Sequence, residues 1–246
     1  MEKQHYGDNL RIAKYLASQN IGSRREIEKF IQQKRIKVNG TTINSPITFV
    51  SDQDNIQFDN RLVEHQDKIT ILKFHKPIKY ITSHKRQNNK PIIFDIIDSK
   101  YRNYKTAGRL DYFSEGLLIL SSDGEVSRNL ELPKNKFKRV YEVTISGLLN
   151  EKNLANISKG GIIQNQKYKP FSYQIIYEQK KTTKLKLTLE EGKNREIRNI
   201  MSYLKLNISK LKRIEYGPFK LNSLKSKALE VANEKEIEQY YSHNKQ

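Results

Sequence analysis

The chain has 246 residues, 36% hydrophobic and 9% aromatic, which is enough for one large or two modest domains with a real core. It has no cysteine, which excludes disulfides, thiolate metal sites and cysteine nucleophiles and is compatible with a reducing cytosol. Lys and Arg number 46 against 27 Asp and Glu, giving a formal net charge of +19 spread along the whole chain. This excess favours a polyanionic partner such as nucleic acid; a solubility charge or a compositional bias towards lysine is the alternative.

No apolar run approaches the roughly 18 residues that a membrane helix needs. No apolar segment follows residues 1–5, so no secretion signal is predicted. We therefore expect a cytoplasmic protein without a membrane partner.

Residues 10–60 have the pattern of a small separate unit. Leucines and alanines at helical spacing predict a first helix. Ser23, followed three residues later by Glu26, has the spacing of a capping box and predicts the start of a second helix. An alternating strand over residues 35–38 then meets an Asn-Gly hairpin turn, with further short strands behind it.

Basic residues of this unit cluster at the start of the second helix and at the start of the first strand. Helix N-termini and Lys or Arg side chains favour phosphate, although a solvated helix face is the alternative. The arrangement resembles the S4 RNA-binding domain, with Lys34 standing where that family usually has glycine. The resemblance is carried by Leu10-Arg11, Leu16-Ala17, Gly22-Ser23-Arg24-Arg25, Ile31 and Val38-Asn39-Gly40.

A boundary is predicted after the small unit. Residues 61–67 are mostly polar, lack periodicity and are predicted to link residues 8–60 to a second domain over residues 68–242. The first strand of the second domain is broken by Lys76-Pro77, and the basic loop 84–90 follows. This loop is as compatible with a solvated surface loop as with an RNA contact.

A charged loop precedes a short apolar run in the middle of the chain. Leu117 to Leu120 are bounded by turn residues, which predicts a buried strand. Asp111 in the preceding loop cannot be buried in the same way, because an unpaired carboxylate in an apolar interior costs too much. We therefore expect Arg109 and Asp111 at the mouth of a core strand, where a site would lie.

Two later segments carry further candidates. Alternation over residues 139–145 predicts a strand that contains Tyr141. A helix follows with Ile197 in its buried stripe, and Arg195 and Arg198 lie away from that stripe near the helix start. These positions combine an aromatic strand residue with two cations at a helix start.

Other site types find little support in the sequence. No phosphate-binding glycine loop and no nucleophile elbow is present, although a Ser-His-Asp triad is not excluded. The histidines are dispersed and none pairs at metal-ligand spacing; they are His5, His65, His75, His84 and His243.

Several motifs in order resemble the RNA pseudouridine synthases of the RsuA/RluB group, and with the S4 unit they cover nearly the whole chain. The matching segments are Lys76-Pro77; Gly108-Arg109-Leu110-Asp111, Ser114, Gly116-Leu117-Leu118 and Asp123-Gly124; Tyr141 with Val143, and Arg139 where lysine is common; the run from Glu191 to Arg198; and Leu211, Arg213, Gly217 and Leu221.

The resemblance implies an α+β protein. A small S4-type α/β domain would precede a larger synthase domain with a mainly antiparallel mixed sheet flanked by helices. In this family a uridine in RNA is detached at its glycosidic nitrogen, rotated and rejoined through carbon 5. The resemblance implies that neither cofactor nor metal is needed.

The resemblance also assigns roles to residues. Asp111 would be the essential carboxylate, as nucleophile at the sugar or as base at its 2′ position, with Arg195 as its partner and Tyr141 against the uracil. Arg198 is favoured as a phosphate contact or a structural ion pair. Together with the basic residues of the S4 unit, the predicted RNA contacts are Arg109, Ile197, Arg198, Arg24, Arg25 and Lys37.

Ribosomal RNA is the expected partner of a monomeric enzyme. Large-subunit (23S) RNA is favoured, because the S4 entry and the Glu-Gly-Lys-Asn-Arg motif look nearer the RluB branch. Small-subunit or transfer RNA is the alternative substrate. A non-catalytic S4-domain RNA-binding or ribosome-assembly factor is the rival class, and the presence of Asp111, Tyr141 and Arg195 speaks against it.

Overall fold

The computed structural model describes residues 10–51, 53–64 and 69–243. They form an N-terminal unit with its own hydrophobic core and a larger unit built on a nine-stranded sheet with helices against it. The predicted α+β organisation is confirmed.

The N-terminal unit packs two helices against short strands. Ile12 and Leu16 of the first helix meet Ile27 and Ile31 of the second in its core. One sheet has the order β3-β2-β5-β6, and β1 pairs with β4. Its elements are β1 (Leu10–Arg11), α1 (Ile12–Ser18), α2 (Arg24–Gln32), β2 (Ile36–Val38), β3 (Thr41–Thr42), β4 (Phe49–Val50), β5 (Ile56–Phe58) and β6 (Arg61–Leu62).

Both ends of α2 follow from local sequence. Both bonds of the predicted capping box are present: the Glu26 amide donates to Ser23 Oγ (3.3 Å), and the Ser23 amide donates to Glu26 Oε2 (2.8 Å). Just beyond the helix, Lys34 adopts a φ of 60°, the left-handed region that favours glycine. The lysine therefore occupies a backbone position at which the S4 family usually has glycine.

The predicted linker is wrong at its beginning. Arg61–Leu62 is strand β6, which pairs with β5 in the register Phe58↔Arg61. Asp59 and Asn60 both have positive φ, 50° and 62°, as the tight turn between β5 and β6 requires, so residues 61 and 62 continue the sheet of the N-terminal unit. Residues 65–67 of the predicted linker lie outside the described residues.

The larger unit contains the nine-stranded sheet, in the order β13-β14-β10-β15-β9-β7-β17, with β16 on β15 and β8 on β9. Its elements are β7 (Ile71–Lys76), β8 (Lys105–Ala107), β9 (Glu115–Ser121), α3 (Gly124–Glu131), β10 (Arg139–Ser146), α4 (Glu151–Ser158), β11 (Gly161–Ile163), β12 (Gln166–Tyr168), β13 (Ser172–Gln179), β14 (Thr182–Leu189), α5 (Glu196–Tyr203), β15 (Asn207–Tyr216), β16 (Phe219–Lys220), β17 (Leu229–Val231) and α6 (Glu234–His243).

Strand β9 is the centre of this unit. Its residues alternate between two hydrophobic clusters, with Leu117 in one and Leu118 in the other, which explains the unbroken apolar run. It pairs in parallel with β15, whereas the other strand pairs of the sheet are antiparallel. Gly116 (φ 108°) lies against Arg213, where an added Cβ would meet the Arg213 carbonyl oxygen at 2.2 Å. The parallel junction therefore requires glycine.

Several shorter segments complete the larger unit. Residues 80–83 form no strand and contribute a single bridge, Ile81 with Ile92. One 3-10 turn, Ile93–Asp95, follows Pro91. Strands β11 to β13 had no sequence prediction. Among the described residues, no helix has the length and apolar character to cross a membrane.

Candidate active site

A cavity of about 600 Å³ lies where the loop before β9, the strand β10 and the start of α5 meet. Predicted residues from all three segments line it: Arg109, Asp111, Tyr141, Arg195, Ile197 and Arg198. The fold thus brings together segments that are about 80 residues apart in the chain. Arg24 and Arg25 are exposed at the start of α2 in the N-terminal unit, and Lys37 is half-buried on β2; none of them lines this cavity.

A buried lysine holds the backbone of the Asp111 loop. Lys76 Nζ donates hydrogen bonds to the carbonyl oxygens of Asp111 (3.0 Å), Ser114 (2.9 Å) and Pro77 (3.0 Å). Three acceptors match the three N–H groups of an ammonium. Burial lowers the pKa of Lys76 to about 8, and the negative charge of Asp111 opposes that shift. Lys76 therefore ties the end of β7 to the loop that carries Asp111.

The residues before Asp111 are fixed as well. The Leu110 amide donates to Thr82 Oγ1 (3.2 Å), and the Thr82 hydroxyl donates to the Leu110 carbonyl (3.0 Å). The Gly108 amide donates to Glu131 Oε1 at 2.7 Å. Backbone bonds on both sides leave the Asp111 side chain in a defined position at the cavity wall.

Two guanidinium groups approach the same oxygen of Asp111. Arg198 Nε lies 3.6 Å and Arg195 Nη1 lies 3.8 Å from Asp111 Oδ2. Both distances are within the range of an ion pair and exceed the length of a hydrogen bond. The Arg198 side chain is 17% exposed and that of Arg195 is 54% exposed, so Arg198 forms the inner and Arg195 the outer contact.

Arg198 also binds the loop itself. Its Nη2 donates to the Phe113 carbonyl oxygen (2.9 Å) and to Ser114 Oγ (3.2 Å). Burial lowers the pKa of the Arg198 guanidinium, and the charge of Asp111 acts in the opposite direction. Of the two roles expected from the sequence, phosphate contact or structural ion pair, the geometry matches the ion pair.

A carboxyl pair supports the turn that presents Arg195. Arg195 caps α5 in the left-handed conformation (φ 53°), and Glu196 Oε2 accepts from the Lys193 amide at 3.0 Å. Burial raises the pKa of Glu196 to about 7, and its carboxyl group hydrogen bonds to that of Glu191. Glu191 Oε1 in turn accepts from the Lys169 amide at 2.6 Å. A proton on Glu196 lets the two carboxyl groups lie together without repulsion.

Strand β10 supplies Tyr141 to the cavity wall. Tyr141 is half-buried between Leu187 of β14 and Arg213 of β15, and it packs against two of the hydrophobic clusters. Arg139, two residues earlier on the same face, donates to the Tyr216 hydroxyl and to the Leu130 carbonyl. Both residues line the cavity, and the guanidinium of Arg139 is engaged in these structural bonds.

Some contributors to the site had weak sequence signals. Lys76 was part of a recognised motif, yet its contact with the Asp111 loop is visible only in three dimensions. Thr82 and Glu196 gave no separate signal. Within the described residues, no group of three or more His, Cys, Asp or Glu side chains is arranged to hold a metal ion.

A family model described as RNA pseudouridylate synthase matches residues 70–203, and an S4 domain model matches residues 10–56. The chain belongs to the RNA pseudouridylate synthase family. The combination of both domains fits the RsuA/RluB group. The protein is thus an isomerase that forms pseudouridine in RNA, as the motifs predicted.

Similar proteins span nearly the same length. An uncharacterized RNA pseudouridine synthase of Rickettsia felis is 37% identical over 231 residues, covering 93% of this chain and 99% of the relative. Another from Aquifex aeolicus is 31% identical, covering 94% of each chain. A crystal structure of a pseudouridylate synthase superposes with a TM-score of 0.66 at 24% identity, covering 94% of this chain and 99% of that one, and shows the same fold.

Proposed function

We propose that this enzyme isomerises a specific uridine in ribosomal RNA, with large-subunit 23S RNA as its first target, and that it acts in the cytoplasm. The observation that carries the catalytic part is the position of the Asp111 carboxylate, which lies beside Arg195 and Arg198 in a cavity of about 600 Å³. This volume is in the range of pockets that enclose small organic groups. The target choice rests on the motifs near the RluB branch.

The target nucleotide has to leave its stack before any chemistry can occur. The N1–C1′ bond then breaks, the uracil rotates, and a C5–C1′ bond forms. The proton on C5 leaves and N1 gains one, so the atoms of the base are conserved. The reaction is an isomerisation within one nucleotide and requires no co-substrate.

Asp111 is the group we assign to the sugar, as nucleophile at C1′ or as base at C2′. Either role needs the ionised carboxylate, and the cations of Arg195 and Arg198 lie within 4 Å of it. Tyr141 lies against the uracil and helps remove the C5 proton. Ile197 packs near the base.

The basic residues outside this cluster are assigned to the RNA backbone. Arg109 is exposed at the rim of the cavity, where it can hold the strand from which the uridine leaves. Arg24, Arg25 and Lys37 of the S4 unit contact phosphates at a second place. Phosphate contacts position the RNA, and the cavity then selects the nucleotide.

The proposal is tested by mapping pseudouridines in ribosomal and transfer RNA from cells with and without the gene. We expect a 23S uridine to lose its modification, the native gene to restore it, and Asp111→Ala to fail. Asp98→Asn is the matched control, because Asp98 is an exposed carboxylate away from the cavity, and it should restore modification. Unchanged RNA, or restoration by Asp111→Ala, would refute the catalytic assignment. A loss confined to transfer or small-subunit RNA would refute the 23S target.

A further inference from the structure

Phe113 is an exposed aromatic residue beside the candidate catalytic carboxylate. Its side chain is 62% exposed, and it follows Asp111 by two positions. The Tyr112 ring lies edge-on to it, with centroids 5.0 Å apart and planes at 80°. Two adjacent aromatic rings at the surface of a strongly basic protein are typical of surfaces on which bases of single-stranded RNA stack.

The backbone under these rings is rigid. The Tyr112 carbonyl accepts from the Lys79 amide (2.6 Å), and the Phe113 carbonyl accepts from Arg198 Nη2 (2.9 Å). Lys76 holds the residues on either side. An exposed ring on a fixed backbone is preorganised for binding, because little further backbone entropy is lost when a ligand binds to it.

The rings of Tyr112 and Phe113 lie next to the cavity but do not line it. Asp111 and Ser114, on either side of the pair, line the cavity, whereas Tyr112 and Phe113 do not. A base bound to Phe113 is therefore not the uridine inside the cavity. It is the base of a nucleotide that flanks that uridine in the RNA.

The charges nearby fit the phosphates of such a nucleotide. Lys90 Nζ lies 4.9 Å from the centre of the Tyr112 ring, which places the end of loop 84–90 beside the pair. Lys79 is exposed next to the same loop, and its amide donates to the Tyr112 carbonyl. An anionic strand with exposed bases is the partner that matches both the rings and these cations.

We propose that Tyr112 and Phe113 form a stacking site for the base next to the target uridine, and that Phe113 makes the main contact. The stacking replaces part of the base stacking that the RNA loses when the uridine leaves its place. The inference rests on the proposed role of Asp111 and adds a contact that helps hold the RNA open.

The first test uses fluorescence, since the chain contains no tryptophan. Phe113→Trp therefore carries a single indole at the proposed site, and Tyr177→Trp carries one on the exposed face of β13 as the control. The probe is the RNA fragment whose uridine the native enzyme modifies, and heparin serves as a polyanion without bases. We expect strong quenching by RNA only in Phe113→Trp. Equal quenching in both variants, or equal quenching by heparin, would overturn the stacking site.

The second test is kinetic. Phe113→Ala and Phe113→Leu should lower kcat/KM for that fragment about 10-fold, Phe113→Tyr should keep most of it, and Tyr177→Ala should match the native enzyme. Native kcat/KM in Phe113→Ala, or equal activity of the Leu and Tyr variants, would refute the inference while the enzyme itself stays active. An inactive native protein would instead refute the proposed function, so the two failures are distinguishable.

Discussion

Arg198 forms an ion pair with the Asp111 carboxylate and also binds the backbone of the loop that carries Asp111. Its Nε lies 3.6 Å from Asp111 Oδ2, while its Nη2 donates to the carbonyl of Phe113, two residues further on. One side chain therefore sets both the electrostatic surroundings and the position of the candidate catalytic carboxylate. Arg195 shares only the first of these functions.

Replacing Arg198 should affect turnover more than RNA binding. We expect Arg198→Ala to lower kcat by about 10²-fold or more, because a preorganised cation and a loop contact are lost together. Arg198→Lys should recover little, since an ammonium cannot make the same forked contacts. Steady-state kinetics and an RNA-binding titration separate the effects. Weakened binding with native kcat would identify Arg198 as a phosphate contact instead.

Glu196, which is buried beside Glu191, should make stability depend on pH. Burial raises the pKa of Glu196 to about 7 from the ordinary 4.5, so the folded state holds a proton that the unfolded state releases. The contribution of protonated Glu196 to the free energy of unfolding is complete below pH 4.5 and is lost as the pH rises through 7. Its size is about 1.4 kcal/mol for each unit by which the folded and unfolded pKa values differ.

Glu196→Gln is the variant that checks this dependence, because the amide resembles the protonated acid. Denaturant unfolding at several pH values should show the native protein losing stability relative to Glu196→Gln between pH 4.5 and 7. Parallel curves for the two proteins over this range would show that Glu196 does not titrate there.

Gly116 should tolerate no side chain. Gly116→Ala would place a Cβ 2.2 Å from the Arg213 carbonyl oxygen and 2.7 Å from its amide nitrogen, at a φ of 108°. We expect a loss of several kcal/mol or failure to fold, because Gly116 and Arg213 are both buried where the two strands meet. Gly124→Ala is the control: the nearest atom is 3.8 Å away and the residue begins α3, so the change should be neutral or stabilising. Thermal unfolding measures both, and equal Tm values would contradict the prediction.

RNA affinity should fall steeply with salt. The net charge of +19 and the exposed cations around the cavity predict several phosphate contacts, each of which releases a counterion. A plot of log Kd against log salt for the modified fragment should have a slope near 0.7 for each contacted phosphate of a single strand. An affinity that does not change with salt would mean that the charge serves another purpose.

Features governed by local rules could be predicted from the sequence. The capping box of Ser23 and Glu26 and the buried run of β9 follow from spacing and apolar character alone. The meeting of Asp111 with Arg195 required the family resemblance, because no periodic pattern links residues 84 positions apart.

The features that were missed depend on tertiary contacts or on backbone angles. Residues 61 and 62 pair with β5 because the left-handed turn at Asp59 and Asn60 reverses the chain, which composition alone does not indicate. Two of the three carbonyl groups that Lys76 binds belong to a loop 35 and 38 residues away, so no local pattern indicates these partners. Strand β13 lies at the sheet edge, and a register shift between Ile175 and Tyr177 interrupts the alternation that Tyr173 and Ile175 begin.

The three hydrogen bonds of Lys76 make the position of Asp111 independent of the neighbouring side chains in the loop that precedes β9. They hold main-chain atoms only, so they fix where Asp111 lies without regard to which side chains stand at positions 112 and 113. Those two positions are free to vary without displacing the carboxylate. With Phe113 in its proposed role, a substitution there changes which flanking base the enzyme prefers and leaves the carboxylate in place.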